Sequence, residues 1–253
     1  MKFFGRQNTF VEASITAHTI LTRTIRQNKN ISGTSWIGEI FRRMKKVMNS
    51  DFPITRLGLL RHAETEWNRE KRIQGQTESP LTPEGVRQAG AWGRILKVYR
   101  WDRILSSDSG RAVQTSGAIN AFLQVPMRCD SRLREQDWGQ WTGKTLAEVK
   151  KEAPQILSDL QESGWKFRPP GGESRSEVWK RSEAAIREAI DRWPGEKILV
   201  VTHKGVIKCL VYRLYGRRFL PAEPLLLRPG NLHWLIHDSN GLQTEKINAF
   251  SLF

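Results

Sequence analysis

The stretch RLGLLRHAETEWN, residues 56–68, passes from an apolar run to polar and charged residues within a few positions. The nearly continuous apolar run at 57–60 is typical of a strand that is buried on both faces of a sheet. Arg61 and His62 follow directly at the end of this predicted strand. Because ligands of open α/β sheets bind beyond the carboxyl ends of the strands, the stretch predicts a central strand that delivers both side chains to a site.

Strand and helix signals alternate along the rest of the chain. Thr82 as N-cap, Pro83 at the first helical position and Glu84 in the first turn predict one helix start. Further strands are predicted at 102–107 and 197–203, helices at 109–123, 174–193 and 205–216, an extended run at 125–135 and a terminal hairpin at 231–248. This order predicts an α/β fold of three α/β/α layers with a mostly parallel central sheet and an antiparallel edge.

Composition limits the classes of protein. With 253 residues and 38% hydrophobic content, the chain can bury one substantial core. Apolar stretches are shorter than the roughly 18 to 20 residues that cross a bilayer, and the N-terminus lacks the apolar block of a secretory signal. We therefore expect a cytoplasmic protein. Cys129 and Cys209 have neither CxxC spacing nor a metal-ligand pattern, so we expect reduced, buried thiols.

Residues 1–50 differ from the rest of the chain. They carry nine Lys or Arg against two Glu, a charge of +7 out of a total of +15, and show no strand and helix alternation. We interpret them as a basic extension to a catalytic domain at 54–253. Within them, residues 36–48 predict an amphipathic helix whose role is contact with an anionic membrane surface or a partner, packing on the domain, or none. An organellar targeting role for residues 1–50 stays open.

Three predicted strand ends carry groups suited to phosphate chemistry. They are Arg61 with His62, the segment 106–111 with Arg111, and Thr202 with His203. Guanidinium groups bind phosphate oxygens in a bidentate manner, and neutral imidazole is a nucleophile toward phosphorus. A leaving alkoxide also needs a proton, and Glu135, at the end of an extended run, is the best-placed donor. Four nearby acids stay open as alternatives: Glu64, Glu66, Glu78 and Asp137.

Six motifs resemble the histidine phosphatase superfamily, which includes the cofactor-dependent phosphoglycerate mutases. LLRHAETEWN is similar to its RHG motif, with Ala63 where Gly usually stands. In the family's order there follow QGQTESPLTPEGVRQA, SSDSGRAVQTSGAI, LREQDWGQWTGKT, GGES and VVTHKGVIK. The resemblance covers about residues 55–250. It implies the phosphoglycerate mutase-like fold. Lys204 departs from the family, which often has Gly at this position.

The resemblance also implies roles for individual residues. His62 would be the nucleophile that becomes phosphohistidine, and Glu135 the general acid and then base. The residues expected to bind the phosphoryl group are Arg61, Asn68, Arg111 and His203. This scheme requires no metal and no other cofactor. The Arg61 guanidinium next to His62 should also lower the pKa of that imidazole and keep a lone pair available near neutral pH.

Phosphatase and mutase share the phosphohistidine step and differ in the acceptor of the phosphoryl group. The compact catalytic region and the absence of a Trp-Asp pair soon after the nucleophile motif favour a phosphatase acting on a small anionic phosphorylated metabolite. Phosphoglycerate mutase, which would use 2,3-bisphosphoglycerate, is the alternative, and a catalytically inactive basic adaptor is a minor one. The tryptophans follow core spacing, which disfavours nucleic-acid binding.

Substrate selection is assigned to the stretch from Trp138 to Phe167 and to the GGES segment, which we expect to cover the pocket. Five side chains there could contact an organic body and an acidic group: Trp138, Trp141, Trp165, Lys166 and Arg168. Oligomeric state is not readable from the sequence.

Overall fold

The structure is a computed structural model that describes residues 53–252. Within these residues, one six-stranded sheet has the order β3-β2-β4-β1-β5-β6. Its strands are β1 (Thr55–Arg61), β2 (Arg103–Ser106), β3 (Met127–Cys129), β4 (Lys197–Thr202), β5 (Asn231–Asp238) and β6 (Gly241–Ser251). Strands β3, β2, β4 and β1 pair in parallel. Strand β5 runs antiparallel to β1 and to β6. The predicted parallel sheet with an antiparallel edge is confirmed.

Seven α-helices connect or flank the strands of the described region. They are α1 (Glu66–Arg69), α2 (Pro83–Leu96), α3 (Gly110–Leu123), α4 (Leu146–Glu152), α5 (Pro154–Glu162), α6 (Arg175–Arg192) and α7 (Lys204–Leu214). The hydroxyl of Thr82 accepts from the Gly85 N–H, which confirms the predicted N-cap of α2. Ser174 and Glu177 form a reciprocal capping box at the start of α6.

The sheet is covered on both faces. Leu57 and Leu59 of β1 belong to a core cluster that contains the apolar residues of α6 and α7. Leu60 belongs to a second cluster, which contains residues of α2 and α3. Because successive side chains of a strand point to opposite faces, this division places two helices on each side of the sheet. The predicted three layers follow from it.

Two predictions around β3 are wrong in part. The extended run at 125–135 contains only three strand residues, and Ser131–Leu133 form a 3-10 helix instead. The Asp130 carboxylate accepts from the Arg132 N–H and so stabilises that turn. Cys129 is exposed because β3 is a short edge strand whose residues are not buried, whereas Cys209 is buried as expected.

The predicted extension at 1–50 and the predicted helix at 36–48 lie outside the described residues, so both stay predictions. Among residues 53–252, no helix has the length and apolar composition needed to cross a membrane.

Gly58 provides a test of packing at the centre of the sheet. A Cβ at this position of β1 would overlap the ring of Trp101, which stacks on Trp234 with ring centroids 5.0 Å apart. Because both rings are buried, they have little room to move. We expect Gly58→Ala to lower the free energy of unfolding by about 2 kcal/mol, measured by urea denaturation.

Gly117→Ala is the matched control. Gly117 is exposed on α3, and a Cβ there meets nothing within 4 Å. Since Ala is a better helix former than Gly, the control should be neutral or stabilising by about 0.5 to 1 kcal/mol. Equal destabilisation by the two substitutions would contradict the proposed overlap.

Candidate active site

His62 is placed by the last pairing between β1 and β4. Its backbone N–H donates to the Thr202 carbonyl at 2.8 Å, continuing the register of the two strands. Its Nδ1 lies 2.8 Å from the Ala63 carbonyl oxygen. Because a carbonyl oxygen can only accept, Nδ1 must carry the proton in this bond. The neutral ring therefore has its lone pair on Nε2.

His203 lies next to His62 because it directly follows the neighbouring parallel strand β4. The two ring centroids are 5.1 Å apart. The Nε2 atom of His203 is 2.9 Å from the Ser107 hydroxyl and 3.2 Å from that of Ser109. Its Nδ1 atom is buried and has no hydrogen-bond partner within residues 53–252. When a serine hydroxyl donates to Nε2, Nδ1 carries a proton that is available to a ligand oxygen.

Two arginines flank the histidines, Arg111 buried and Arg61 partly buried. Arg111, in the first turn of α3, is 1% exposed and donates to the carbonyls of Gly75 at 2.7 Å and Thr77 at 2.9 Å. The Nε atoms of Arg61 and Arg111 are both buried and have no partner in the described part of the chain. An unpaired buried donor costs about 1 to 3 kcal/mol. Binding of an anion would offset this cost, so the pair favours an anion site.

The histidines are neutral in this environment. Burial lowers the pKa of His62 well below its ordinary value, and the Arg61 and Arg111 guanidiniums lower it further. The predicted direction is therefore found, although burial has a larger effect than Arg61. Burial also lowers the pKa of His203, with further contributions from His62 and both arginines. The arginines stay charged, so the site combines two cations with two uncharged rings.

Glu135 is held on the same site by backbone donors. Its Oε2 accepts from the Gly205 N–H at 3.1 Å, and its Oε1 accepts from the Gln136 N–H at 2.8 Å. Gly205 lies in the first turn of α7, two residues after His203. A Cβ at this position would overlap Glu135 Oε1, so only glycine allows this approach. The first turn of α7 therefore positions both His203 and Glu135.

Arg181, which is not among the predicted site residues, fixes the segment that carries Glu135. Its guanidinium binds the Glu173 carboxylate with bonds of 2.7 and 2.9 Å, and it donates to the carbonyls of Arg132 at 2.6 Å and Glu135 at 3.0 Å. Glu173 belongs to the GGES motif, which therefore anchors the acid-bearing segment. The charge pair joins residues that are distant from Glu135 in sequence, and no local pattern marks them.

Five of the predicted site residues line one cavity of about 310 Å³. Asn68 is among them, and its Oδ1 also accepts from the Thr65 N–H in the capping box of α1. His203 is not among the lining residues, but its ring contacts that of His62, which lines the cavity. The full lining is Arg61, His62, Asn68, Lys71, Arg72, Ile73, Gln74, Gly75, Arg111, Glu135, Trp138, Leu146 and Lys204.

The alternative acids make other contacts. Glu64 accepts from the Thr82 hydroxyl, and Glu66 pairs with Arg69. Glu78 accepts from the Gly110 N–H at 3.0 Å, and Asp137 from the Gly139 N–H at 2.9 Å. Among the described residues, Glu135 is the one acid in the cavity lining. The structure therefore favours Glu135 as the proton donor.

Most of the predicted covering residues lie away from the cavity. Trp138 lines it, but Trp141 is buried in a small apolar cluster with Phe167. Trp165 packs against the main core, and its indole N–H donates to the Arg217 carbonyl. Arg168 pairs with Glu177 at the surface, and Lys166 does not line the cavity. The prediction is thus wrong for four of the five side chains. Trp141 and Trp165 pack in apolar clusters, Arg168 forms an ion pair, and Lys166 lies outside the cavity lining.

Residues 53–252 contain no group of three or more His, Cys, Asp or Glu side chains that could hold a metal ion.

Comparisons with known proteins cover this same region. A family model described as histidine phosphatase superfamily (branch 1) matches residues 57–249, which include all six predicted site residues. The probable phosphoglycerate mutase GpmB of Salmonella choleraesuis (strain SC-B67) is 37% identical over 164 residues, 65% of this chain and 75% of that protein.

Solved structures are similar as well. YhfR of Bacillus stearothermophilus has a TM-score of 0.71 and 31% identity, covering 78% of this chain and 98% of that one. A mycobacterial glucosyl-3-phosphoglycerate phosphatase, solved as a complex with VO3, has a TM-score of 0.68 and 28% identity, covering 78% of this chain and 98% of its own.

Gly205→Ala tests the positioning of Glu135. The added methyl group overlaps the end of a flexible side chain, which can rotate away at little cost to folding, but the carboxylate then leaves its place. We expect kcat for a phosphate ester to fall about 10²-fold, in the range typical of lost acid catalysis, with an unchanged urea midpoint. Gly117→Ala should keep full kcat. Full activity of the Gly205 variant would show that this contact does not position the acid.

The lowered histidine pKa values predict a pH-dependent stability. An unfolded imidazole binds a proton near pH 6.5, whereas the buried rings of His62 and His203 do so only at lower pH. The free energy of unfolding is therefore not reduced by these histidines above about pH 6.5. It decreases as the pH falls from there toward the pKa values of the folded state. In His62→Asn the slope of unfolding free energy against pH should be flatter by up to about 1.4 kcal/mol per unit.

The measurement is urea denaturation between pH 7 and 5 in buffers without phosphate, which would itself bind the site. Parallel slopes for wild type and His62→Asn would mean that His62 takes up its proton in the folded state at an ordinary pH.

Proposed function

Because the chain belongs to the histidine phosphatase superfamily, we propose that it hydrolyses the phosphate monoester of a small metabolite through a phosphohistidine intermediate on His62. One observation carries the proposal. A neutral imidazole with its lone pair on Nε2 lies beside two guanidiniums whose Nε donors are buried and unpaired among the described residues. This arrangement suits an electrophile that carries negative charge on its oxygens.

In the first step, the Nε2 lone pair of His62 attacks phosphorus and the ester P–O bond breaks. The carboxyl group of Glu135 gives its proton to the leaving oxygen, so the alcohol departs uncharged. The imidazole becomes positively charged, and its Nδ1–H bond to the Ala63 carbonyl stabilises that charge. Arg61, Arg111 and the Nδ1–H of His203 bind the phosphoryl oxygens, and Asn68 adds a neutral donor.

In the second step, the Glu135 carboxylate takes a proton from water and the water oxygen bonds to phosphorus. The P–N bond breaks, its electron pair returns to Nε2, and inorganic phosphate leaves. Uncatalysed hydrolysis of phosphate monoesters needs up to about 10²¹-fold acceleration. Division into two steps and fixed cations around the oxygens lower both barriers without reorganisation at the moment of reaction.

The comparisons support two acceptors. The similar mycobacterial structure is a phosphatase by its title, and the similar Salmonella protein is described as a probable phosphoglycerate mutase. We favour water as the acceptor because the catalytic region is compact. If the chain is a mutase, 2,3-bisphosphoglycerate is its cofactor. The intact set of Arg61, His62 and Glu135 around one cavity disfavours an inactive adaptor.

The setting of the enzyme is proposed from the sequence alone. We propose a cytoplasmic protein whose catalytic domain spans 54–253, with residues 1–50 as an extension. Contact of residues 36–48 with a membrane surface stays part of this proposal, and nucleic acid is not among the proposed partners.

His62→Ala tests the nucleophile. We expect hydrolysis of 4-nitrophenyl phosphate to fall by at least about 10³-fold, because removal of a covalent nucleophile abolishes the pathway through it. Wild type should also show a burst of nitrophenol equal to the enzyme concentration if release from phosphohistidine is slow. Both proteins must show the same unfolding profile. Equal rates in the two would refute the enzymatic proposal.

A second assay separates the acceptors. Wild type is incubated with 3-phosphoglycerate, with and without 2,3-bisphosphoglycerate, while 2-phosphoglycerate and inorganic phosphate are both measured. A phosphatase releases inorganic phosphate in either condition. Efficient isomerisation that depends on the bisphosphate would instead establish the mutase.

A further inference from the structure

The cavity contains more positive charge than one phosphate group requires. Beyond Arg61 and Arg111, it is lined by Lys71, Arg72 and Lys204. The guanidinium of Arg72 is engaged, since it donates to the Glu70 carboxylate at 2.7 Å and to the Gly143 carbonyl at 2.8 Å. The side chains of Lys71 and Lys204 are exposed and have no ion pair or hydrogen bond with the residues at 53–252.

The proposed reaction leaves these two lysines in excess. When Glu135 carries the proton that it gives to the leaving group, Arg61 and Arg111 contribute two positive charges and the histidines none. A phosphate monoester carries about −1.5 to −2 at pH 7. Arg61 and Arg111 therefore balance the charge of the transferred phosphate by themselves. Lys71 and Lys204, both exposed at the cavity, are therefore left to bind another anionic part of the substrate.

Both lysines occupy places that are unfavourable for folding. Lys204 is the first residue of the 11-residue helix α7, where the helix dipole disfavours a cation. Lys71 has a φ of 59°, in the left-handed region that favours glycine. Residues that depart from local preferences are expected at functional positions. In both cases the side chain lines the cavity.

Position 204 is also rigidly defined relative to the reacting groups. It lies between His203, whose ring contacts that of His62, and Gly205, whose N–H holds Glu135. The Lys204 side chain is exposed and lines the cavity, so its ammonium group can reach the part of the substrate next to the transferred phosphate. Ile73, Trp138 and Leu146 supply an apolar wall of the same cavity.

We propose that Lys204, assisted by Lys71, determines specificity by binding a second anionic group of the substrate, a carboxylate or a second phosphate. The proposal rests on the proposed phosphatase function and names its substrate class: small phosphomonoesters with two anionic groups. It assigns Lys204 a role in substrate binding and none in the transfer step.

The test uses two substrates with the same carbon skeleton. 3-Phosphoglycerate carries a carboxylate where glycerol 3-phosphate carries a hydroxymethyl group. In wild type, kcat/KM for phosphate release should be higher for 3-phosphoglycerate. In Lys204→Gln the ratio of the two kcat/KM values should fall about tenfold or more, mainly through KM, because a charge-assisted bond is lost. Lys204→Arg should retain most of the ratio.

Lys150→Gln is the matched control. It removes one positive charge from an exposed position of α4 outside the cavity lining, so it should keep the wild-type ratio. A second pair of substrates is fructose 1,6-bisphosphate and fructose 6-phosphate. If the ratio of kcat/KM values depends on Lys204 in this pair and not in the first, the second anionic group is a phosphate.

Three results would overturn the proposal. A ratio independent of Lys204 in both pairs would show that the lysine binds no second anion. Equal losses for both members of a pair would place Lys204 on the transferred phosphate. Absence of phosphate release by wild type from all four compounds and from 4-nitrophenyl phosphate would refute the phosphatase function itself, and the specificity proposal with it.

Discussion

The parallel register between β1 and β4 is the constraint on which the site depends. Arg61 pairs with Thr202, and the next N–H, that of His62, donates to the Thr202 carbonyl. One histidine follows the end of each strand at the same level of the sheet, so the two ring centroids lie 5.1 Å apart. A slip of one residue would turn the buried strand residues to the opposite face, since side chains alternate along a strand. The apolar residues that fill both core clusters therefore also fix the two imidazoles.

Burial has opposite consequences for the two kinds of basic group in the site. It removes the proton from imidazole at neutral pH, because neutral and charged forms of histidine lie close in free energy. It cannot remove the proton from guanidinium, whose ordinary pKa is far higher. One environment thus yields a neutral nucleophile and fixed cations side by side. Carbonyls of Gly75 and Thr77 bind the Arg111 guanidinium without neutralising it, which leaves its charge for a ligand.

The sequence could predict what local patterns encode. Apolar runs identified β1 and β4, Thr82 marked a helix start, and the strand ends indicated Arg61, His62 and His203. The support of Glu135 was not predictable, because it depends on contacts with Gly205 and Arg181, which are distant from Glu135 in sequence. The same reason explains the errors at Trp141 and Trp165. A tryptophan in a polar stretch has no local mark that distinguishes a cavity wall from a separate apolar cluster.

The first turn of α7 unites three proposed tasks in consecutive residues. His203 supports the phosphoryl group, Lys204 binds a second anion, and Gly205 holds the general acid through its N–H. Their spacing is fixed by helical geometry, so binding of a substrate at Lys204 acts on the same rigid element that positions Glu135. A substrate must therefore match this segment in the distance between its second anion and its phosphate. Substrate binding and positioning of the acid therefore share one short segment of backbone, and the core contacts of α7 keep this segment in place.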